Sequence, residues 1–353
     1  TLGPGVSDLI EVRPDETFDV AAVTRWMRGR EDLPRGEPRV RQLGGGKANL
    51  TYLLTFPDGG ELVLRRPPLG PVAESSHDMT REYTVLSRLW QSFPLAPRAY
   101  ALCEDESVIG APFFLMERKG GVVVRGQVPD RFGGGDDAEA NRKLSAMVID
   151  ILAELHAVDP ADCGLDELGH PEGFLERQVR GWARRWERAK HEDDPVADEV
   201  AGWLAAELPD PTETTLLHND WRLDNMAVSP DDPGTCSAVY DWDMATRGNP
   251  LADLGTLMGS WFDPGEAPQD LGMMPTNSPG WLSRDAAVRR YSSRSGRDMR
   301  DVDWYLVFGS WKLGVILQQI YIRWLRGQTK DERFASLGDG ARALFRVAAA
   351  RRP

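Results

Sequence analysis

Between residues 216 and 225 the chain reads Leu216-Leu217-His218-Asn219-Asp220-Trp221-Arg222-Leu223-Asp224-Asn225, and a second polar group, Asp241-Trp242-Asp243, follows a short apolar run. Met226–Ser229, a turn at Pro230-Asp231-Asp232-Pro233-Gly234, and Ser237–Tyr240 read as a hairpin between them. In an antiparallel hairpin the residue that leads into the first strand lies beside the residue that leaves the second. Asn225 and Asp241 are therefore expected side by side, with Asp220 in the loop that feeds the same end. One amide oxygen and two carboxylates would meet there. Such a set can hold Mg²⁺, which takes a few oxygen ligands from protein and the rest from water and phosphate. A carboxylate left off the metal can orient a hydroxyl nucleophile and accept its proton. Two other readings stand beside this one. Asp and Asn also cap turns. A metallohydrolase could use His218 and Asp220, but it would need further histidines, and His77, His156, His170 and His191 are scattered along the chain.

The elements that must position this cluster follow from periodicity. Arg39–Leu43, Thr51–Phe56 and Glu61–Arg66 have the length and apolar content of strands, with a turn at Pro57-Asp58-Gly59-Gly60. Residues 18–29 and 79–92 read as helices, and 98–103 and 112–117 as two more strands. After Glu117 the character changes: Gly120, Gly121 and Gly133-Gly134-Gly135 break the pattern. Segments 138–157, 172–190, 196–207, 250–262, 284–295, 302–326 and 339–350 read as helices. The expected architecture is α+β and bilobal, with a small β-rich lobe over residues 1–118 and a mainly helical lobe over residues 119–353.

Composition narrows the partners. The chain has 353 residues, more than one core usually holds. Its 55 acidic against 42 basic residues leave a net charge of −13. A field of that sign repels nucleic acid and anionic membrane surfaces. Three well-separated cysteines lack metal-ligand spacing and fit a reducing compartment, so a cytoplasmic location is expected. Residues 1–20 carry no long apolar run of the kind a secretory signal needs. The apolar stretch Trp304–Leu325 includes Lys312, Gln318, Gln319 and Arg323. Such groups are costly in a bilayer, so this is expected to be a buried helix and not a membrane span.

The spacing His-x-Asp-x₄-Asn, then an Asp after an apolar strand, is the arrangement kinases use for phosphoryl transfer. The sequence resembles the aminoglycoside phosphotransferase superfamily, whose fold is similar to that of protein kinases. More narrowly it resembles the branch related to the kinase-like domain fused to some acyl-CoA dehydrogenases. The resemblance covers residues 38–330. It includes Gly44-Gly45-Gly46-Lys47-Ala48-Asn49, Val63-Leu64-Arg65-Arg66-Pro67-Pro68, Arg81-Glu82-Tyr83, Pro171-Glu172-Gly173-Phe174-Leu175-Glu176-Arg177-Gln178 and Asp241-Trp242-Asp243. It implies an ATP- and Mg²⁺-dependent enzyme that phosphorylates a hydroxyl of a small molecule. Asp220 would be the base, Asn225 and Asp241 the metal ligands, and His218 a brace for the loop. Asp253 would pin that loop from a helix below, and Asp243 would have a secondary role near the metal. On the nucleotide side, backbone N–H groups of Gly44, Gly45 and Gly46 would approach phosphate oxygens, with Asn49 in the same motif. Arg65 stands where kinases usually carry a lysine, and Glu82 would be its ion-pair partner. Its planar fork differs from a point charge. The backbone around Glu117 would meet adenine.

The acceptor is less constrained. At about 100° per residue, Arg177, Arg180, Arg184 and Arg188 form one helical stripe opposite Leu175, Val179, Trp182 and Trp186. The stripe is either a solvated face or a site for an anionic group such as a carboxylate or a CoA phosphate. Asp263, Glu266 and Asp270 would instead suit a cationic aminoglycoside, or belong to a simple lid. A hydroxyacyl-CoA or hydroxy acid, an amine sugar, and another small alcohol remain the three candidates. A nucleotide-binding pseudokinase that regulates a partner is the reading from a different class.

Overall fold

Strand alternation explains the small lobe. In Glu61–Arg66 (β4), Leu62 and Leu64 join one core while Val63 joins another, and in Phe113–Glu117 (β6) Phe113 and Leu115 part from Phe114 and Met116 in the same way. Successive side chains point to opposite faces of a strand, so this sheet is covered on both sides. The computed structural model describes residues 9–44, 49–68, 79–210, 213–263, 274–329 and 331–352. The remaining strands of the sheet are Leu9–Ile10 (β1), Arg39–Leu43 (β2), Leu50–Thr55 (β3) and Ala99–Cys103 (β5), in the order β1-β2-β3-β4-β6-β5, with every neighbouring pair antiparallel. Val20–Met27 (α1), capped by the Asp19 side chain on the Ala22 N–H (2.9 Å), covers one face. Met79–Leu89 (α2) packs on the other through Val85, Leu86 and Leu89. The alternation in β4 turns Arg65 to the α2 side. Its neighbour Arg66 is turned to the other side, fully buried, and donates to the Glu16 carbonyl (2.7 Å) and the Tyr52 hydroxyl (3.1 Å).

The rest of the chain is mainly helical: Ala138–His156 (α3), Phe174–Ala189 (α4), Pro195–Ala206 (α5), Leu251–Gly259 (α6), Arg284–Ser295 (α7), Val302–Leu325 (α8) and Leu337–Ala350 (α9). The α+β, two-lobed expectation holds. The charged and amide-bearing α8 lies buried against α4, α5, α6 and α9. No described helix is long and apolar enough to cross a membrane.

Two small hairpin-like sheets interrupt the helices. Met226–Val228 (β8) pairs with Cys236–Val239 (β9), and Thr215–Leu217 (β7) pairs with Thr246–Gly248 (β10), both antiparallel. β10 was not expected: Thr-Arg-Gly has no periodicity to read, and only its partner β7 makes it a strand. β9 also begins and ends one residue before the expected Ser237–Tyr240 span. The chain leaving the small lobe is tied to the same patch, since Val122 and Val228 exchange backbone hydrogen bonds of 2.8 and 2.9 Å.

The crossing of α6 and α8 is unusually close. A Cβ at Gly309 would lie 1.8 Å from the Gly255 carbonyl oxygen, and one at Gly255 would lie 2.3 Å from the Tyr305 carbonyl oxygen. Backbone atoms cannot swing aside as a flexible side chain can, so the helices would have to part. Gly309→Ala is therefore expected to destabilise the protein by about 2–3 kcal/mol, even though alanine gains about 1 kcal/mol of helix propensity. Urea unfolding measures this, and a midpoint equal to wild type would contradict the crossing described.

Candidate active site

β7 and β8 are short and buried along their whole length. The loop 218–225 runs from the end of β7 to the start of β8. Segment 240–245 runs from the end of β9 to the start of β10. The two small sheets thus hold both polar segments at their ends and bring them together. The Tyr240 N–H donates to the Asn225 carbonyl (2.8 Å), which sets Asp241 one residue beyond the position facing Asn225. The Asn219 side-chain amide donates to the Met244 carbonyl (2.8 Å). Asn219 and Asp241 both adopt positive φ, 65° and 66°. This region is uncommon outside glycine but is more accessible to Asn and Asp than to most residues, and such conformations concentrate where surrounding structure forces them.

Within the loop, the Asn225 amide donates to both the carboxylate (2.8 Å) and the carbonyl (2.9 Å) of Asp220. That fixes the Asp220 carboxylate and leaves the Asn225 Oδ1 available as a ligand atom. Arg222 and Asp224 form a paired fork beside it. His218 is buried. Its Nδ1 accepts from the Asp220 N–H (3.3 Å) and its Nε2 lies 2.9 Å from the Tyr240 carbonyl, so the tautomer carrying hydrogen on Nε2 satisfies both. The ring sits edge-on between Trp221 and Trp242, with centroids 5.5 and 4.7 Å away. Trp221 in turn donates from its indole N–H to the Val148 carbonyl of α3 (3.0 Å). His218 therefore joins the loop to segment 240–242 and has no free nitrogen with which to react.

Beneath the loop, the buried Asp253 of α6 accepts the His218 N–H (2.7 Å) on one oxygen and the Asn219 N–H (2.8 Å) on the other. His156, at the end of α3, reaches the same carboxylate at 3.4 Å, and its other nitrogen meets the Tyr291 hydroxyl at 2.6 Å. Burial pushes the Asp253 carboxyl up, but the hydrogen bonds from His156 and from the His218 N–H outweigh it and hold the group below its ordinary value. Burial drives His156 down despite Asp253. The consistent state is an ionised Asp253 that accepts from a neutral imidazole, whose other nitrogen accepts from Tyr291. Nothing in the spacing of His156 or Tyr291 marks them in the sequence; only the folded core brings them under the loop.

On the small-lobe side, Arg65 lies 2.8 Å from Glu82 of α2 and also pairs with Asp241. One guanidinium thus serves two carboxylates from two lobes, with Asp243 close by. Burial pushes the Glu82 carboxyl up from 4.5 to about 7 against the pull of Arg65, and the charges of Asp241 and Asp243 push the same way. Burial and then Asp241 raise Asp243 as well. A carboxyl raised in the folded state favours folding most below its unfolded value, and that contribution is lost as pH rises through the folded value. Metal-free protein is expected to lose stability between pH 4.5 and about 7, and Glu82→Gln to lose less. Melting curves across that window decide it, and parallel profiles would contradict the assignment.

A divalent cation placed here would relieve this surplus of half-buried negative charge. The Asp241 carboxylate and Asn225 Oδ1 are hard oxygen donors of the type Mg²⁺ takes. Among the described residues, no group of three or more His, Cys, Asp or Glu side chains could hold a metal unaided. Of the expected phosphate-contacting residues, Gly44 follows β2 and Asn49 is buried just ahead of β3. Gly45 and Gly46, with Lys47 and Ala48, lie outside the described residues. The Glu117 N–H is committed to the Arg98 carbonyl (2.8 Å), and its carboxylate takes the Arg98 N–H (3.1 Å).

The acceptor expectations fare differently. Arg177 is spent on the carbonyls of His170 and Glu172, and Arg180 pairs with Glu176. Arg184 and Arg188 are exposed. The stripe faces solvent while Trp182 and Trp186 face the core, so it is not part of this cluster. Asp263 accepts the Arg284 N–H (2.8 Å), and Glu266 and Asp270 lie outside the described residues.

Residues 39–286 match the model of the phosphotransferase enzyme family. Acyl-CoA dehydrogenase family member 11 of Gallus gallus is 33% identical over 342 residues, which is 93% of this chain but 42% of that protein's length. A solved Ralstonia eutropha structure, described as a candidate aminoglycoside phosphotransferase, is 29% identical, has a TM-score of 0.79, and matches over 95% of this chain and 98% of its own. A choline kinase of Cryptosporidium parvum, 10% identical with a TM-score of 0.60 over 94% and 95% of the two chains, shares the fold alone. With the family model spanning both lobes and the whole of the 218–243 cluster, the chain belongs to the phosphotransferase enzyme family.

Proposed function

We propose that the protein transfers the terminal phosphoryl group of ATP, with Mg²⁺, to a hydroxyl of a small molecule. The observation that carries this is the meeting of Asp220, Asn225 and Asp241 at one end of two small sheets, on a loop whose backbone is held by a buried carboxylate. In this reading Asp220 orients the acceptor hydroxyl and takes its proton. Asn225 and Asp241 hold the metal, which when bound neutralises phosphate charge. Arg65 keeps Glu82 and turns its remaining N–H groups from Asp241 to phosphate oxygens, while the backbone of Gly44, Gly45 and Gly46, ahead of Asn49, covers them. Residues 1–118 bind nucleotide, and residues 119–353 bind the acceptor and carry the base. With its own N–H used, Glu117 leaves adenine recognition to its carbonyl and to the backbone that follows it.

For the acceptor we favour a hydroxy acid or hydroxyacyl-CoA over an aminoglycoside, because relatives that contain this segment are named for acyl-CoA. The three free cysteines suit a cytoplasmic setting. The test is ADP release with and without Mg²⁺ over a panel of hydroxylated metabolites, CoA esters and aminoglycosides. Acceptor-dependent ADP is expected. ATP bound tightly with no acceptor raising turnover would favour the regulatory pseudokinase instead.

A further inference from the structure

Lys312 is a charge the scheme above does not use. It stands in the middle of α8 and is only 7% exposed. An ammonium group has three N–H donors. Its one hydrogen-bond partner among the described residues is the Thr256 hydroxyl, at a long 3.4 Å, and its nitrogen sits 5.4 Å from the centre of the Trp182 ring. No described carboxylate forms an ion pair with it. Burying an unpaired ammonium is costly, and a half-satisfied buried group in a native core calls for a reason.

Its place in the fold supplies one. Thr256 lies one helical turn beyond Asp253 on α6, and Asp253 holds the N–H groups of His218 and Asn219 immediately before Asp220. Lys312 is thus set directly under the catalytic loop. Burial lowers its proton affinity, Arg185 adds to that, and together they outweigh the opposite pull of Asp220 and Asp253. Trp182 carries Lys312 near its ring and Arg185 4.3 Å from the ring centre. Two cations on one indole make a poor seat for a polycation and a good one for an anionic oxygen.

We infer that Lys312 is a specificity-determining residue which receives a carboxylate oxygen of the acceptor, with Trp182 along the carbon chain, and so sets the acceptor hydroxyl at Asp220. This rests on the phosphotransferase reading and narrows it to acceptors whose negative group lies a short chain from the hydroxyl.

The test compares kcat/KM for short hydroxycarboxylic acids, each beside its methyl ester, in wild type, Lys312→Met and Lys312→Arg, with melting temperature as the check on folding. Wild type is expected to prefer the acid. In Lys312→Met the acid-to-ester ratio should fall about 10- to 100-fold, the range a hydrogen bond to a charged group commands, and Lys312→Arg should keep part of the preference. An unchanged ratio in Lys312→Met, equal losses on acid and ester, or a wild type that prefers the ester would overturn the inference and leave the phosphotransferase reading standing. A wild type that phosphorylates no alcohol of any class would remove both.

Discussion

Asp220→Asn is expected to lower acceptor phosphorylation by about 100- to 10,000-fold, the usual worth of a positioned general base, while the protein melts with wild type. The choice of asparagine matters. Its side-chain oxygen can still accept from the Asn225 amide, as the Asp220 carboxylate does at 2.8 Å, and the Asp220 N–H remains on His218 Nδ1. The loop keeps its shape and only the proton acceptor is lost. The loss should fall on kcat, with ATP affinity near wild type, because no nucleotide contact is assigned to this side chain. A fall in ATP affinity with kcat unchanged would place Asp220 on the nucleotide and not on the acceptor.

Asp253→Asn is expected to damage both stability and rate without touching substrate. The carboxylate accepts two backbone N–H groups on separate oxygens and a third bond from His156. An amide has one oxygen to offer, and its NH₂ would face a donor. One loop N–H is then left buried and unpaired, and hydrogen bonds to a charged group are worth about 1.5–3 kcal/mol each. A loss of about 2–4 kcal/mol in chemical unfolding is expected. The rate should fall at least about 100-fold, since a displacement near 1 Å of a reacting group can cost that much. The acid limb gives an independent check. Asp253 is held below its ordinary value in the folded state, so its contribution is present above the unfolded value and lost as pH falls through the folded one. Asp253→Asn should flatten that part of the stability profile. A variant as stable as wild type at neutral pH, with full activity, would mean the loop does not depend on this anchor.

The cluster was legible in the sequence because its chemistry is local. His218, Asp220 and Asn225 lie in one loop, and a single turn at residues 230–234 brings Asp241 back to them. The strands of the small lobe were legible for a similar reason: alternation in β4 and β6 records which face each side chain takes. What lies across the fold was not. β10 is three residues long and exists only because β7 pairs with it. His156 and Tyr291 come from helices far apart in the chain and meet only in the packed core. Lys312 read as a reason against a membrane span, and its position under Asp220 depends on the crossing of α6 and α8, which Gly255 and Gly309 permit. The arginine stripe of α4 is the solvated face that was one of its two readings, and not the anion site that was the other. Helical periodicity groups residues on one side but does not say which side meets the site.

The most direct test of the central claim follows the transferred atoms. ATP carrying ¹⁸O in its three terminal γ-oxygens is incubated with Mg²⁺, the protein and an acceptor that stimulates ADP release, and the products are weighed by mass spectrometry. If phosphoryl transfer to the alcohol occurs, the acceptor gains one phosphoryl group with three ¹⁸O atoms, its own oxygen stays in the ester link, and ADP forms in equal amount. If the label instead appears only in free phosphate, or ATP is bound and returned intact, the protein does not phosphorylate that alcohol and the account fails.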